Sequence, residues 1–378
     1  MNILFLALDV DLARRRGDSV HVRELSAHLA ELGHSVRLVT ATRTETEPER
    51  IVHIRRRGSG LGQVAQAVAL AHSWADVVYE RRMSPKISWA VSTLTGIPFV
   101  VEANGVLEDE IPALRSVATD SRGSLRTRLR GRFLRASSRI VAVSRGVRDD
   151  LVGRFRIPTK KIEIVPNGAN TRVFRPLDRR SCRSELSVPV DARVACFVGN
   201  VVPWQGVDVL VRAAALLKSE EPKLITLVVG DGASIDDTRS LAARHQVADR
   251  VRFVGAVDYE DVPRFINAAD ICVAPFRKSR KASPIKIFEY LACEKPVVTS
   301  DVDDIGDFVR SCGAGVVIEP EDDRALADAL RWLLLHPEDA TIMGRSGRKA
   351  VLERRSWVQT SKRVSEILAT AGQGTTAS

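Results

Sequence analysis

The sequence is poor in the residues that build disulfide frameworks, metal sites and membrane spans. Its five cysteines, at positions 182, 196, 272, 293 and 312, show neither CxxC spacing nor a histidine cluster, so we expect reduced, buried thiols. No apolar run approaches the ~18 residues that a membrane span needs. The apolar start, MNILFLALDV, lacks the basic segment that opens a signal peptide. These features predict a cytoplasmic protein.

Further gaps in the sequence disfavour several ligand classes. Aromatic residues make up only 5% of the chain, which leaves few rings for stacking on bases, so no nucleic-acid partner is predicted. The absence of GxGxxG and of GxxxxGK[ST] disfavours dinucleotide and P-loop sites. The triplets Asp9–Asp11 and Asp301–Asp303 could chelate a divalent ion, but acidic residues are common at strand ends, so we predict no metal and no cofactor.

Positive charge is concentrated in the first half of the chain. Residues 1–176 hold 29 Lys plus Arg and 18 Asp plus Glu, a net charge of +11, whereas the entire chain carries +10, so the remainder has −1. An excess of this size predicts an anionic partner for the first half, such as a membrane surface or a phosphorylated lipid.

Apolar runs alternate with amphipathic stretches of helical length along all 378 residues. This alternation predicts parallel sheets covered on both faces, and the length predicts two domains. We expect an α/β protein with two doubly wound domains on either side of a cleft, divided after Pro176, a last helix over 354–371 and a disordered tail over 372–378. The predicted strands are NILFLAL, SVRLVTA, DVVYE, PFVVEA, RIVAV and KIEIVP, then VACFVGN, ITLVVG, RVRFVG, DICVAP and PVVTSD.

The most informative stretch is Pro275–Asp301, PFRKSRKASPIKIFEYLACEKPVVTSD. Ser283 has the position of a helix N-cap and Pro284 that of the first helical residue, with the helix ending at Lys295. Free N–H groups at this helix start, together with Lys286, could bind a diphosphate, and Glu289 one turn later could bind ribose hydroxyls. An ordinary capped helix packed on a sheet explains the same pattern equally well.

Other candidate ligand contacts follow predicted strands. Gly17 could let the backbone approach a phosphate, and His21 lies on the following helix, where a structural histidine is the more common interpretation. Glu102 and Asn104 emerge from the strand PFVVEA, a position typical of a site. In the second half, the loops after two strands supply Asn200 and Gln205, then Gly230, Asp231 and Gly232, each a weak signal of a phosphate or nucleoside contact.

The segment 115–139 carries eight arginines, with Leu125, Leu129 and Phe133 at four-residue intervals. A narrow apolar stripe edged by guanidinium groups is typical of a helix that lies on an anionic bilayer. A helix that packs this stripe on its own domain fits the pattern as well.

Taken in order, these stretches resemble glycosyltransferase family 4, the retaining GT-B enzymes. The matching pieces are GDSVHVRELSAHLAELGHSV, YERRMSPKISWA, VVEANGVLEDE, AVSRGVRDDLV, KIEIVPNGANTRVFRP, FVGNVVPWQGVDVLVRA, LVVGDG, RVRFVGAV and SPIKIFEYLACEKPVV. The resemblance implies two Rossmann-like domains. The first, 1–176, would bind the acceptor; the second, 177–353, would bind a UDP-, GDP- or ADP-sugar. The C-terminal helix would return to the first domain, and no metal would be obligatory.

Carried over onto this chain, the family pattern implies that Glu289 binds the ribose of the donor. Ser283, Ile285 and Lys286 would face the diphosphate and the transferred sugar, with Gly17 in the loop that closes on the diphosphate. Asn104 stands where many members of the family have a histidine near the reacting centre.

The chain also departs from the family pattern. Lys281 replaces the first glutamate of the E-x7-E motif, and Asn200 and Gln205 replace the arginine and lysine that commonly neutralise the diphosphate. Lys286 is expected to compensate, as the SPxKxxEY variant of the family suggests, with Lys281 and Arg277 as further cations near in sequence.

The resemblance implies a retaining, metal-independent hexosyltransferase. Such transfer is described as front-face, with the departing phosphate taking the acceptor proton, so no nucleophilic side chain is required. We expect a role in cell-surface polysaccharide or glycolipid synthesis, with possible peripheral contact to the membrane. Two alternatives stay open: a catalytically degenerate, nucleotide-sugar-binding partner subunit, and a nucleotide-sugar epimerase on the same fold.

Overall fold

The computed structural model describes residues 1–13, 17–42, 51–55, 60–105, 125–278 and 283–373. The chain forms two compact units. The N-terminal unit comprises the described residues of Met1–Asn167, Ser283 and Trp357–Gln373, and the C-terminal unit comprises those of Gly168–Arg280 and Pro284–Ser356.

The N-terminal unit is built on a parallel sheet, which among the described residues has the strand order β3-β2-β1-β4-β5-β6-β7. The strands are β1 Asn2–Ala7, β2 Ser35–Thr40, β3 Ile51–Arg55, β4 Val77–Arg81, β5 Phe99–Ala103, β6 Arg139–Ala142 and β7 Ile162–Ile164. The helices between them are α1 Gly17–Glu31, α2 Leu61–Ala71, α3 Lys86–Thr95, α4 Leu125–Ala136 and α5 Arg145–Phe155.

The C-terminal unit has a second parallel sheet of order β10-β9-β8-β11-β12-β13. Its helices are α6 Arg179–Glu185, α7 Val207–Leu216, α8 Ile235–Arg244, α9 Val262–Ala268, α10 Ile285–Ala292, α11 Asp303–Ser311, α12 Asp323–Leu335 and α13 Pro337–Arg354. Its strands are β8 Arg193–Val198, β9 Leu224–Val229, β10 Val251–Gly255, β11 Ile271–Ala274, β12 Val297–Ser300 and β13 Gly315–Ile318. The chain then forms α14, Trp357–Gln373, which packs on α1 and on β4 to β6 of the N-terminal unit.

Both faces of the sheets are buried, as the continuous apolar strands predict. In β8, Val194, Cys196 and Val198 belong to one hydrophobic cluster, whereas Ala195 and Phe197 belong to another on the opposite face. Alternate residues of a strand point to opposite faces, so each face of this sheet has its own helical layer. The predicted α/β class with two doubly wound sheets is therefore confirmed.

The boundaries differ from the predicted ones in three places. The units divide after Asn167 instead of after Pro176, and the last helix begins at Trp357 because Arg354 still belongs to α13. Helix α10 begins at Ile285 with Pro284 as its cap residue, and it ends at Ala292, before Lys295. Among the described residues, no helix has the length and hydrophobicity needed to cross a bilayer.

Candidate functional site

The carboxyl ends of parallel strands meet at one edge of a sheet, and in the N-terminal unit this edge brings His21, Glu102 and Asn104 together. Nε2 of His21, on α1, lies 2.6 Å from Oε1 of Glu102, just inside the end of β5. The amide of Asn104 donates to the same oxygen over 2.9 Å, and the hydroxyl of Tyr79 donates to Oε2 over 2.9 Å. His21 and Glu102 are buried, whereas Asn104 is half-buried, so Asn104 is the accessible end of the cluster.

His21 faces an acceptor oxygen at each of its ring nitrogens. Nδ1 lies 2.9 Å from Oδ1 of Asn167. That amide is oriented by its nitrogen, which donates to the backbone carbonyl of Ser283 over 2.6 Å, so Oδ1 can only accept from the ring. Nε2 faces the Glu102 carboxylate, so both ring nitrogens face acceptors. The contact between Nε2 and Glu102 is an ion pair, because its angle is not that of a well-aligned hydrogen bond.

The carboxylate of Glu102 stays ionised despite its burial. Burial raises its pKa, but the positive charge and the contact of His21, the charge of Arg81 and the Asn104 hydrogen bond outweigh that effect and hold the pKa at about 2. A buried ion pair of this kind fixes the orientation of its members, since breaking it would leave an uncompensated charge.

Three contributors to this cluster were missed from the sequence. Asn167 joins His21 to Ser283, and its backbone N–H donates to the Ser283 hydroxyl over 3.0 Å. The ring of Trp357 packs edge-on against His21 with a centroid distance of 5.0 Å. Tyr79 supplies the bond to Glu102 described above. The hydroxyl of Ser283 is therefore an acceptor for Asn167, and no side-chain cap bond is made at α10, which corrects the predicted N-cap role.

The acidic triplets do not converge into a metal site. Asp11 accepts hydrogen bonds from Thr42 and Ala13, and Asp301 forms an ion pair with Arg310. Over the described ranges, no group of three His, Cys, Asp or Glu side chains is placed to hold a metal ion. Gly17 is exposed at the start of α1, with open space where a side chain would be.

In the C-terminal unit, Lys286 reaches from the first turn of α10 to the loop that follows β8. Its ammonium group donates to Oε1 of Gln205 over 2.9 Å and lies 3.9 Å from the ring centre of Phe197. A methyl group on Gly199, whose φ is +136°, would come within 2.5 Å of the Lys286 nitrogen. The cation is therefore in contact with the very loop where the family pattern has an arginine and a lysine and this chain has Asn200 and Gln205.

Glycines allow the loops after β8 and β9 to approach each other closely. A side chain on Gly230 (φ +125°) would overlap the carbonyl oxygen of Gly199, and one on Gly232 would overlap that of Val201. Asp231 is exposed, and its carboxylate accepts from the N–H of Gly232 over 2.7 Å. The structure thus brings the two predicted glycine loops together.

Tyr290 fixes the end of β8 to α10, a role that the sequence reasoning missed. Its hydroxyl accepts from the N–H of Val198 over 2.7 Å and donates to the carbonyl of the same residue over 3.3 Å. The ladder between β8 and β11 ends at Cys196, so the tyrosine satisfies backbone groups beyond it. Burial raises the pKa of Tyr290 well above its usual range, so the hydroxyl keeps its proton.

The remaining predicted donor residues lie on α10, at its start and on the loop after β8. Glu289 is buried on α10 three residues after Lys286, Pro284 is buried, Ile285 is half-buried and Asn200 is exposed. Arg277 is not available as a substitute cation, because it pairs with Asp208 at 2.9 Å and Glu321 at 2.6 Å. Lys281 lies outside the described residues.

The exposed face of α4 combines leucine with arginine. Leu125 is 74% exposed and Leu129 42% exposed, while Arg128 and Arg132 are exposed beside them. Leu134 is buried and Phe133 packs on Trp89. Two of the three stripe residues are therefore not covered by the helix's own domain; residues 115–124 of the arginine-rich segment lie outside the described ranges.

Two family models divide the chain between them. Residues 15–173 match the Glycosyltransferase Family 4 model, and residues 178–350 match the Glycosyl transferases group 1 model. With two doubly wound sheets and these matches, the chain belongs to glycosyltransferase family 4 and is a glycosyltransferase of the GT-B type.

Curated relatives of this chain include D-inositol 3-phosphate glycosyltransferases. The one from Thermobispora bispora is 25% identical over 93% of this chain and 89% of its own length, and the one from Salinispora tropica is 28% identical over 89% and 76%.

Solved structures share the fold over nearly the whole chain. Sucrose-phosphate synthase from Thermosynechococcus elongatus has a TM-score of 0.80 at 20% identity, covering 99% of both chains. HepE from Anabaena, in complex with UDP-glucose, has a TM-score of 0.79 at 18% identity, covering 98% of this chain and all of the other.

Proposed function

We propose that this glycosyltransferase moves a hexose-type sugar from a nucleotide-diphosphate sugar to an acceptor hydroxyl with retention of configuration. The observation that carries the proposal is the position of Lys286, whose ammonium group contacts Gln205 in the loop after β8 and the ring of Phe197 in β8 itself. In a family where that loop commonly carries the diphosphate-binding cations, Lys286 supplies a positive charge that Asn200 and Gln205 lack.

The C-terminal unit is proposed to bind the donor. The diphosphate would contact the Lys286 ammonium group and the backbone N–H groups of Ile285 and Lys286 at the start of α10, directly after Pro284, because helix N-termini and ammonium groups both stabilise anions. The close glycine loops that include Gly230 and Gly232 leave backbone accessible to the nucleotide, and Glu289 would accept hydrogen bonds from the ribose hydroxyls.

The N-terminal unit is proposed to bind the acceptor. Asn104 is the half-buried end of a cluster whose other members, His21 and Glu102, are buried and fixed by mutual contacts. A rigid amide of this kind can orient an acceptor hydroxyl, and orientation is the main contribution expected from the protein. Because the departing phosphate can take the acceptor proton, the reaction needs stabilisation of the leaving diphosphate more than a nucleophilic side chain.

UDP is the nucleotide we propose first, because HepE is described in complex with UDP-glucose, with GDP and ADP as alternatives. Metal independence is part of the proposal. The acceptor is proposed to be anionic or lipid-linked, as the net charge of +11 over residues 1–176 suggests. A role in cell-surface polysaccharide or glycolipid synthesis follows from such an acceptor.

Contact with an anionic membrane surface is proposed through α4. Leu125 and Leu129 would enter the boundary between headgroups and acyl chains while Arg128 and Arg132 meet the headgroups. Flotation with phosphatidylglycerol vesicles should recover the wild type and lose a Leu125→Ser/Leu129→Ser variant. The control is Leu335→Ser, which removes a leucine 58% exposed in the C-terminal unit. Equal recovery of all three proteins would contradict the membrane contact.

The test of donor binding is calorimetry with UDP, GDP and ADP in EDTA. One of the three nucleotides should bind to the wild type. Its affinity should fall about 10-fold or more in Lys286→Met and in Glu289→Ala. The control variant Lys349→Met, which removes an exposed lysine of α13, should keep the wild-type affinity. Unchanged affinity in Lys286→Met would refute the assignment of the diphosphate cation.

Binding of a nucleotide without sugar transfer to any acceptor would favour the degenerate partner subunit over the enzyme, and failure of all three nucleotides to bind would refute the donor assignment. Release of an epimerised sugar without any acceptor would favour the epimerase.

A further inference from the structure

Arg81 is a cation that the described cluster leaves without a partner. It is the last residue of β4 and stands directly opposite Glu102 of β5 in the parallel ladder. The residue is half-buried, its Nε is buried without a hydrogen-bond partner, and within the described part of the chain its guanidinium group makes no hydrogen bond or ion pair. An unpaired guanidinium nitrogen in this position costs stability, which calls for an explanation.

The neighbouring carboxylate does not pair with Arg81 because its oxygens are already engaged. Oε1 of Glu102 accepts from Asn104 and faces His21, and Oε2 accepts from Tyr79. Within the cluster, Glu102 is in contact with His21 and not with Arg81, so Arg81 has no carboxylate partner there. Its field still reaches Glu102, since the Arg81 charge helps to lower the pKa of that carboxyl group.

The adjacent arginine, unlike Arg81, has a carboxylate within reach of its guanidinium group. Arg82 is the next residue along the chain, and its Nε lies 4.0 Å from a carboxylate oxygen of Asp9. Arg82 thus already has an acidic neighbour, which makes it a matched control for the charge and the length of the side chain.

We propose that Arg81 binds a phosphate monoester group of the acceptor and so selects phosphorylated acceptors. This deepens the proposed function, because it names the chemical class recognised beside Asn104. A guanidinium group presents N–H donors in a planar fork that matches two phosphate oxygens, and a half-buried site strengthens the contact. The names of the curated relatives, D-inositol 3-phosphate glycosyltransferases, are consistent with a phosphorylated acceptor.

The test is calorimetric titration of the UDP-saturated protein with inositol 3-phosphate, glycerol 3-phosphate and inorganic phosphate, each beside its uncharged counterpart where one exists. At least one of the phosphates should bind to the wild type more tightly than inositol or glycerol. Arg81→Gln should weaken that binding about 10- to 100-fold, the range expected for loss of a charge-assisted hydrogen bond, and Arg81→Lys should restore part of it. Arg82→Gln should retain affinity within about threefold of the wild type.

The opposite results would overturn the proposal. The wild type would bind the phosphate no more tightly than its uncharged counterpart, or would bind none of the three phosphates. Alternatively, Arg81→Gln would leave phosphate affinity unchanged, or Arg82→Gln would lower it as much as Arg81→Gln does. UDP affinity measured on the same variants separates this result from the donor assignment. A donor site that depends on Lys286 and Glu289 should be unaffected by Arg81→Gln, whereas a merely structural loss would lower UDP affinity and the melting temperature as well.

Discussion

The buried carboxyl group of Glu80 should make the stability of the N-terminal unit depend on pH near neutrality. Glu80 lies on β4, and its Oε2 accepts from the N–H of Ser88 over 2.9 Å and from the Ser88 hydroxyl over 2.5 Å. Its Oε1 is buried without a partner. Burial raises the pKa of Glu80 from 4.5 to about 7, although the Ser88 bonds oppose the shift.

The sign and size of the effect follow from linkage. The pKa is higher in the folded chain, so the folded state binds the proton more tightly than the unfolded state. The stabilising contribution is complete below about pH 4.5 and is lost as the pH rises to about 7. The pKa shift of Glu80 corresponds to roughly 3 kcal/mol, most of which separates pH 5 from pH 8.5.

Glu80→Gln mimics the protonated form, because its carbonyl oxygen can accept from Ser88 while its NH2 group replaces the unpartnered Oε1. The variant should be more stable than the wild type by about 3 kcal/mol at pH 8.5 and by only about 1 kcal/mol at pH 5. Urea unfolding at both pH values measures the difference, and other titrating groups cancel between the two proteins. Glu353→Gln, an exposed carboxylate on α13, is the control and should show no such gap.

A gap between wild type and Glu80→Gln that is the same at both pH values would refute the reasoning. So would destabilisation by the glutamine at pH 8.5, which would mean that the ionised carboxylate is satisfied in the folded protein.

Three further predictions concern the two clusters. Gly199→Ala should displace the Lys286 ammonium group and weaken UDP binding about 10-fold by calorimetry. Gly313→Ala, at a residue that also has a positive φ (+59°) but is surrounded by open space, should leave UDP binding unchanged. Tyr290→Phe should leave the N–H of Val198 unsatisfied and lower the free energy of unfolding in urea by about 1–3 kcal/mol. An unchanged free energy of unfolding would argue against a stabilising hydrogen bond between Tyr290 and β8. Glu102→Gln should raise the acceptor KM while UDP affinity stays constant, and a fall in UDP affinity would contradict the assignment to the acceptor.

Most of the fold could be predicted because buried parallel strands are continuous apolar runs. The two strands that were not predicted, β3 and β13, lie at edges of their sheets. Edge strands pack on one neighbour only, and GVVI of β13 is short with no charged flank to mark its start. The division after Asn167 could not be predicted either, since the backbone and side chain of this residue bond to Ser283, far along the chain.

The candidate site was predictable where the chemistry is local and not where it depends on contacts between distant segments. Glu102 and Asn104 stand out because polar residues end an apolar strand. Asn167, Trp357 and Tyr290 give no such signal: their roles arise from partners that are 90 or more residues away in sequence. The PNG triplet that contains Asn167, which begins two residues after the end of β7, is the local sign that could have been used.

The hydrogen bond between Lys286 and Gln205 restricts how parts of this enzyme can be exchanged with those of its relatives. A grafted β8 loop that carried lysine at position 205 would place two ammonium groups about one hydrogen-bond length apart, and their repulsion would drive one of them away. A chimaera should therefore take the loop 199–205 and the helix Ile285–Ala292 from the same parent. Recombination points that separate them are expected to yield folded but weakly binding hybrids.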